Sequence, residues 1–185
     1  MQQQTFKLRA RKLIQLAFAT VLFSATTARA VESYAPSGVE VYFSPRGGAT
    51  EACVTAIAAA KREILVQAYS LTSLPIAKAL VEASRRGVSV IVVLDKSQRH
   101  DKYSSADFVA HAGIPTFIDD RHAIAHNKII IVDGQIVLTG SFNFSKAAEE
   151  SNAENFLVIH DAKLAMRYIA NWHEHKRHSL PYAGK

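Results

Sequence analysis

Between Gly87 and Asp95 the chain reads Val88-Ser89-Val90-Ile91-Val92-Val93-Leu94, apolar at all but one position. A strand with one wet face alternates apolar and polar side chains; a run this uniform is buried on both faces. Such strands belong to parallel or mixed sheets covered by helices. The segment before it fits a covering helix. Residues 74–86 carry Ala77, Leu80, Val81 and Ala83 on one stripe, and Gly87 stops them.

The rest of the chain extends this pattern. Residues 39–43 and 63–69 read as strands, and the alanine-rich, periodic stretch 50–62 as a helix. A turn is expected at Pro45, Gly47 and Gly48, a helix over 101–112 closed by Gly113, and a short strand over 115–118. Two apolar runs, 128–133 and 136–139, meet at Asp133-Gly134, which is a hairpin signal. A strand over 155–160 and a helix over 161–175, with Leu164, Tyr168 and Trp172 on one stripe, complete the order. The expected fold class is α/β: a mixed β-sheet flanked by helices, one domain per chain.

Charge divides the chain unevenly. The formal net charge is +6, but residues 1–30 hold Lys7, Arg9, Arg11, Lys12 and Arg29 and no acid. Residues 31–185 therefore carry 17 basic against 16 acidic side chains. The front end has a basic start, an apolar run from Leu13 to Phe23 and an Ala28-Arg29-Ala30 cleavage pattern. That reads as a signal peptide over 1–30, handled by export machinery and cleaved after Ala30. Residues 31–185 are then the mature domain, expected in the periplasm or secreted, with no stable membrane insertion. The single cysteine, Cys53, cannot form a disulfide within its own chain and is expected to be buried and inert.

The chemistry concentrates in residues 126–143. His126 and Lys128 stand two apart at the entry of a strand, so both side chains share a face. Ser141 and Asn143 stand two apart just after the returning strand. A tight hairpin brings those two pairs to one sheet edge. An imidazole, a fixed cation and two neutral donors suit an anion with a transferable centre, of which phosphate is the obvious case. Asp133 is explained equally well by turn chemistry, and Gly140 by close backbone approach.

Taken together, His126, Lys128, Asp133, Gly140, Ser141 and Asn143 spell H-x-K-x4-D-x6-G-S-x-N. This resembles the signature of the phospholipase D superfamily. Residues 42–49, 66–73 and 85–95 look like its small single-motif bacterial endonucleases. The resemblance implies that His126 attacks phosphorus to give a phosphohistidine, with a second histidine as acid and then base. It implies that Lys128 and Asn143 hold phosphate oxygens, with Ser141 bonding in the same shell. Asp133 would orient or balance charge, and Glu154 would accept a bond from the other nitrogen of the His126 imidazole. Such a bond fixes the tautomer and stabilises the charged ring.

The motif is counted once, at His126, with His100, His111, His122 and His160 read as lacking a lysine two residues on, so no other histidine is expected to replace it. A symmetric homodimer sharing one phosphate site is the economical solution. No cofactor is expected. The pair His122-x3-His126 and the trio His173-x-His175-x2-His178 could hold metal, but hydrolysis is expected to be metal-independent, and the tail to be a solvated helix end. The expected function is an exported, sequence-nonspecific endonuclease acting on DNA, with RNA as a further substrate. A phospholipase D acting on phosphatidyl headgroups and a non-catalytic nucleic-acid or phospholipid binder are the alternatives.

Overall fold

A computed structural model describes residues 38–185. The expected signal peptide lies outside the described residues. The chain order is β1 (Val39–Ser44), α1 (Ala49–Ala59), β2 (Glu63–Ala68), α2 (Leu74–Arg85), β3 (Ser89–Asp95), α3 (Ala106–His111) and β4 (Thr116–Asp119). The order continues with β5 (Lys128–Val132), β6 (Ile136–Gly140), α4 (Lys146–Glu150), β7 (Glu154–His160), α5 (Ala162–His178) and β8 (Leu180–Tyr182). The strands form one sheet in the order β1-β7-β6-β5-β2-β3-β4-β8.

The sheet is mixed. The β2-β3 and β3-β4 pairs are parallel, and β2-β5, β5-β6, β6-β7 and β7-β1 are antiparallel. Period-two alternation sends successive side chains to opposite faces. Ile64, Val66, Val90, Val92, Leu94, Ile130 and Val132 pack with the buried faces of α1, α2 and α3, among them Cys53, Ile57 and Leu80. Leu65, Val93, Ile129, Ile131 and Val137 pack on the other face against Ala165 and Trp172 of α5. Leu164 and Tyr168 complete that layer, so the stripe read from the sequence is the docking face of α5. Trp172 Nε1 also donates to Val66 O at 2.9 Å, which ties α5 to a central strand.

The hairpin forms as expected, with Asp133 (φ 53°) and Gly134 (φ 65°) both left-handed and Gln135 N donating to Val132 O. Gly140 has φ 148°, and a Cβ there would lie 2.3 Å from Asn155 O. Only glycine allows β7 to come this close.

Three local expectations are corrected. The helix expected over 101–112 starts only at Ala106, preceded by a 3-10 turn over Lys96–Arg99. Asp101 Oδ1 takes the amide of Tyr103 and Ser104 Oγ that of Ala106. Short polar side chains compete in this way with helical backbone bonding. Helix α4 was not anticipated; its Glu149 carboxylate accepts from Gly48 N and Thr50 N and so caps α1, whose own N-cap is a glycine. Helix α5 runs on to His178, and the chain then adds β8 beside β4.

Candidate active site

The C-terminal ends of β2 and β3, the start of β5 and the end of β6 lie along one rim of the sheet. Ala68 pairs with Lys128, and Ile129 with Thr139. The site is built there, at the seam where parallel pairing gives way to antiparallel pairing.

His126 is exposed, and Lys128 beneath it is only 7% exposed. Lys128 points along the same face as Ile130 and Val132, at the end of an otherwise apolar strand. Its Nζ donates to His126 O at 2.8 Å and lies 5.2 Å from the centre of the Tyr69 ring. Burial pushes the ammonium below its ordinary pKa, and the Glu154 carboxylate partly restores it. A buried cation with unspent N–H donors is prepared for an anion.

Ser141 and Glu154 meet across β6 and β7. Ser141 Oγ donates to Glu154 Oε2 at 2.6 Å and accepts from Asn155 N at 3.1 Å. The Gly140 contact sets this junction, since Asn155 O accepts from both Ser141 N and Phe142 N. Asn143 is flanked by the buried rings of Phe142 and Phe144, and its side-chain oxygen is buried with no hydrogen bond. A buried acceptor without a partner carries a cost of about 1–3 kcal/mol. The donor of the same amide, Nδ2, is the atom that can meet a phosphate oxygen.

Two sequence assignments change. Asp133 is not at this rim. It lies past the far end of β5, roughly 17 Å away at the rise of a strand. Its carboxylate accepts from Lys61 N, Arg62 N and Glu63 N at 2.9, 2.7 and 2.9 Å. Burial opposes its ionisation, but these amides and the Arg62 charge prevail and hold its pKa below 3.8. Asp133 anchors the entry to β2. Glu154 is at the rim, but its hydrogen bonds go to Ser141 and to Asn152 Nδ2 at 3.0 Å, and not to the His126 ring.

The structure adds residues with no motif of their own. The Tyr69 ring meets the His126 ring edge-on, with centroids 4.6 Å apart. Asp95, 3% exposed, accepts from Ala125 N at 2.7 Å and from Ser97 N at 2.9 Å, and so fixes the residue before His126. A carboxylate closing an apolar strand was the available signal for Asp95. Tyr69 gave none beyond its place at the end of β2.

His100, Lys102 and Asp107 repeat the H-x-K-x4-D spacing, so His126 is not the sole histidine with a lysine two residues on. They do not form a second site. His100 follows the 3-10 turn, Lys102 is exposed in a turn, and Asp107 on α3 accepts from Tyr182 OH. No strand puts His100 and Lys102 on one face, and no G-S-x-N follows.

The family "Cardiolipin synthase, PLD-like domain" matches residues 53–176. The chain belongs to the phospholipase D superfamily. A "Phospholipase D" of Rickettsia prowazekii is 42% identical over 140 residues, 76% of this chain and 68% of that protein. A "Mitochondrial cardiolipin hydrolase" of Chlamydomonas reinhardtii is 33% identical over 108 residues, 58% of this chain and 48% of that one. Among solved structures, the phospholipase D family member Nuc from Salmonella typhimurium superposes with a TM-score of 0.75 at 41% identity. That match covers 78% of this chain and 97% of Nuc. Phospholipase D superfamily enzymes hydrolyse phosphodiester bonds, and this chain is an enzyme of that class.

Proposed function

We propose that the chain is an exported endonuclease that hydrolyses DNA, and RNA as well, without sequence preference, as a homodimer sharing one phosphate site. The observation that carries this reading is the open placement of His126. Its imidazole stands exposed over a buried lysine, reachable by a phosphodiester in the middle of a polymer. A cavity of about 420 Å³ exists between β1, α1 and β7, but it does not include His126. A site that grips phosphate contacts backbone and not base edges, which gives broad specificity. The near balance of charge over residues 31–185 leaves affinity to local groups such as Lys128.

In this reading a nitrogen of His126 attacks phosphorus, the N–P bond forms and one P–O ester bond breaks. The leaving oxygen takes a proton from the His126 imidazole of the second copy. That imidazole, now neutral, removes a proton from water, which attacks phosphorus and releases His126. Lys128 and Asn143 hold the non-bridging oxygens as charge shifts onto them. Ser141 and Glu154 hold the adjoining rim.

The names of the curated relatives favour a second reading, a phospholipase D acting on phosphatidyl headgroups by the same chemistry. Digestion of circular plasmid beside hydrolysis of phosphatidylcholine and cardiolipin vesicles separates the two. The nuclease reading expects nicked and then linear plasmid, in excess EDTA, and no product from His126→Ala, which still binds DNA. Lipid turnover without plasmid cleavage would replace it with the second reading. Sedimentation that finds a fully active monomer would end the shared-site part.

A further inference from the structure

At the far side of the same rim a second group of reactive side chains gathers. Asp119 closes β4, His122 follows it in the loop, and His175 and His178 come from the last turn of α5. One ligand atom from each lies within 4.8 Å of all the others. Asp119 is fully buried, whereas His122, His175 and His178 have side chains 45%, 14% and 25% exposed. The helix-face pairing of His122 with His126 does not occur, because both lie in irregular chain between β4 and β5. His173 faces Trp172 and takes no part.

The geometry is that of ligands around a shared centre. His175 Nδ1 lies 2.8 Å from Asp119 Oδ2, and His122 Nδ1 is 3.0 Å from the same oxygen. His178 Nε2 lies 3.2 Å from Asp119 Oδ1, yet it makes no hydrogen bond there and is buried. The ring centroids are 4.8, 5.3 and 5.5 Å apart. Three imidazoles around one carboxylate exceed what its hydrogen bonding uses, and one nitrogen is left over. Asp119 Oδ1 also accepts from Arg121 N at 3.2 Å, which fixes the carboxylate at the centre of the group. Tetrahedral zinc takes nitrogen at about 2.0–2.1 Å, which places its ligand atoms roughly 3.3 Å apart. The ligand atoms now spread to 4.8 Å, so a bound zinc would draw the rings inward.

We propose that Asp119, His122, His175 and His178 bind one dication of the zinc class, which staples the loop leading to His126 onto α5. Three nitrogens and one oxygen favour zinc, cobalt or nickel over magnesium or calcium. Four protein ligands make a closed, structural site, so no step of hydrolysis passes through the metal. The staple adds to the bonds already on that loop, Lys96 Nζ to His122 O at 2.9 Å and Ala125 N to Asp95.

The test uses the full chain without a histidine tag, stripped with chelator and then titrated with zinc, cobalt, magnesium or calcium. One zinc per chain is expected by elemental analysis, and cobalt should give the visible absorption of a tetrahedral site. A hundredfold excess of zinc over its Kd should raise Tm by about 5–10 °C. Amide exchange over residues 120–127 should slow on zinc binding. Magnesium and calcium should do neither. His175→Ala with His178→Ala should lose the metal, and His173→Ala should keep it. Should the paired variant misfold, His122→Ala, altered in an exposed loop, should show the same loss. Absence of stoichiometric zinc in wild type would overturn the site, as would equal binding by these variants. Zinc binding that leaves exchange over 120–127 unchanged would overturn the staple.

Discussion

Replacing Asp133 tests whether the family aspartate serves chemistry or architecture. In Asp133→Ala the amides of Lys61, Arg62 and Glu63 lose their common acceptor. Bonds to a charged group contribute about 1.5–3 kcal/mol each when shielded. The bonds from Lys61 and Arg62 are open to solvent, so water replaces much of them, and only the bond from Glu63 is partly buried. Alanine must also hold the left-handed conformation at φ 53°, at about 1–2 kcal/mol. The sum is a loss of about 3 kcal/mol. Asparagine tolerates that backbone and keeps one oxygen, so Asp133→Asn should lose about 1–2 kcal/mol. Urea denaturation measures both. Because the carboxylate lies past the other end of β5, kcat/KM on a chromogenic phosphodiester should stay within about threefold of wild type well below Tm. A fully folded Asp133→Ala with kcat/KM down a hundredfold would refute the placement, as would a stability loss under about 0.5 kcal/mol.

Other consequences can be measured alongside. Lys128→Met keeps the length of the side chain and removes the charge; kcat should fall about 10²–10³-fold, by steady-state assay, while stability holds or rises because a buried ammonium is gone. Gly140→Ala would drive a Cβ into Asn155 O and should lower Tm by about 6–12 °C in a thermal scan, a cost of about 3 kcal/mol. Asp133 has a folded pKa lowered from 3.8, so its contribution is present above that value and lost as pH falls through the lowered one. Relative to wild type, Asp133→Asn should therefore show a shallower acid limb below about pH 4 and a parallel curve above pH 5 in urea midpoints against pH.

The parts of the molecule legible in the sequence are those whose signal is local. Val88 to Leu94 announced a central strand, and the two runs around Asp133-Gly134 announced a hairpin whose register follows from period two. That register alone brings Ser141 back toward Lys128. Other features depend on partners distant along the chain. Asp133 gives a turn signal, but the amides it binds are some seventy residues earlier. Helix α4 has only five residues, and its value lies in capping α1 across the fold. Glu154 is expected to meet the His126 ring, but its choice of Ser141 is settled by side-chain geometry across β6 and β7. His175 and His178 read as a solvated tail because His175 is 56 residues from its acid.

The two apolar layers each hold a residue type used once in the whole chain. Cys53 is the only cysteine and Trp172 the only tryptophan. Cys53 is fully buried under α1 on one face of the sheet, where burial pushes its thiol pKa up; Trp172 is 1% exposed under α5 on the other. The unmodified protein therefore carries its own two reporters, an alkylation clock for one layer and an emission maximum for the other. If labelling and the spectral shift follow one time course, the layers separate from the sheet as a unit. If they part, the order in which the faces open can be read without adding a dye.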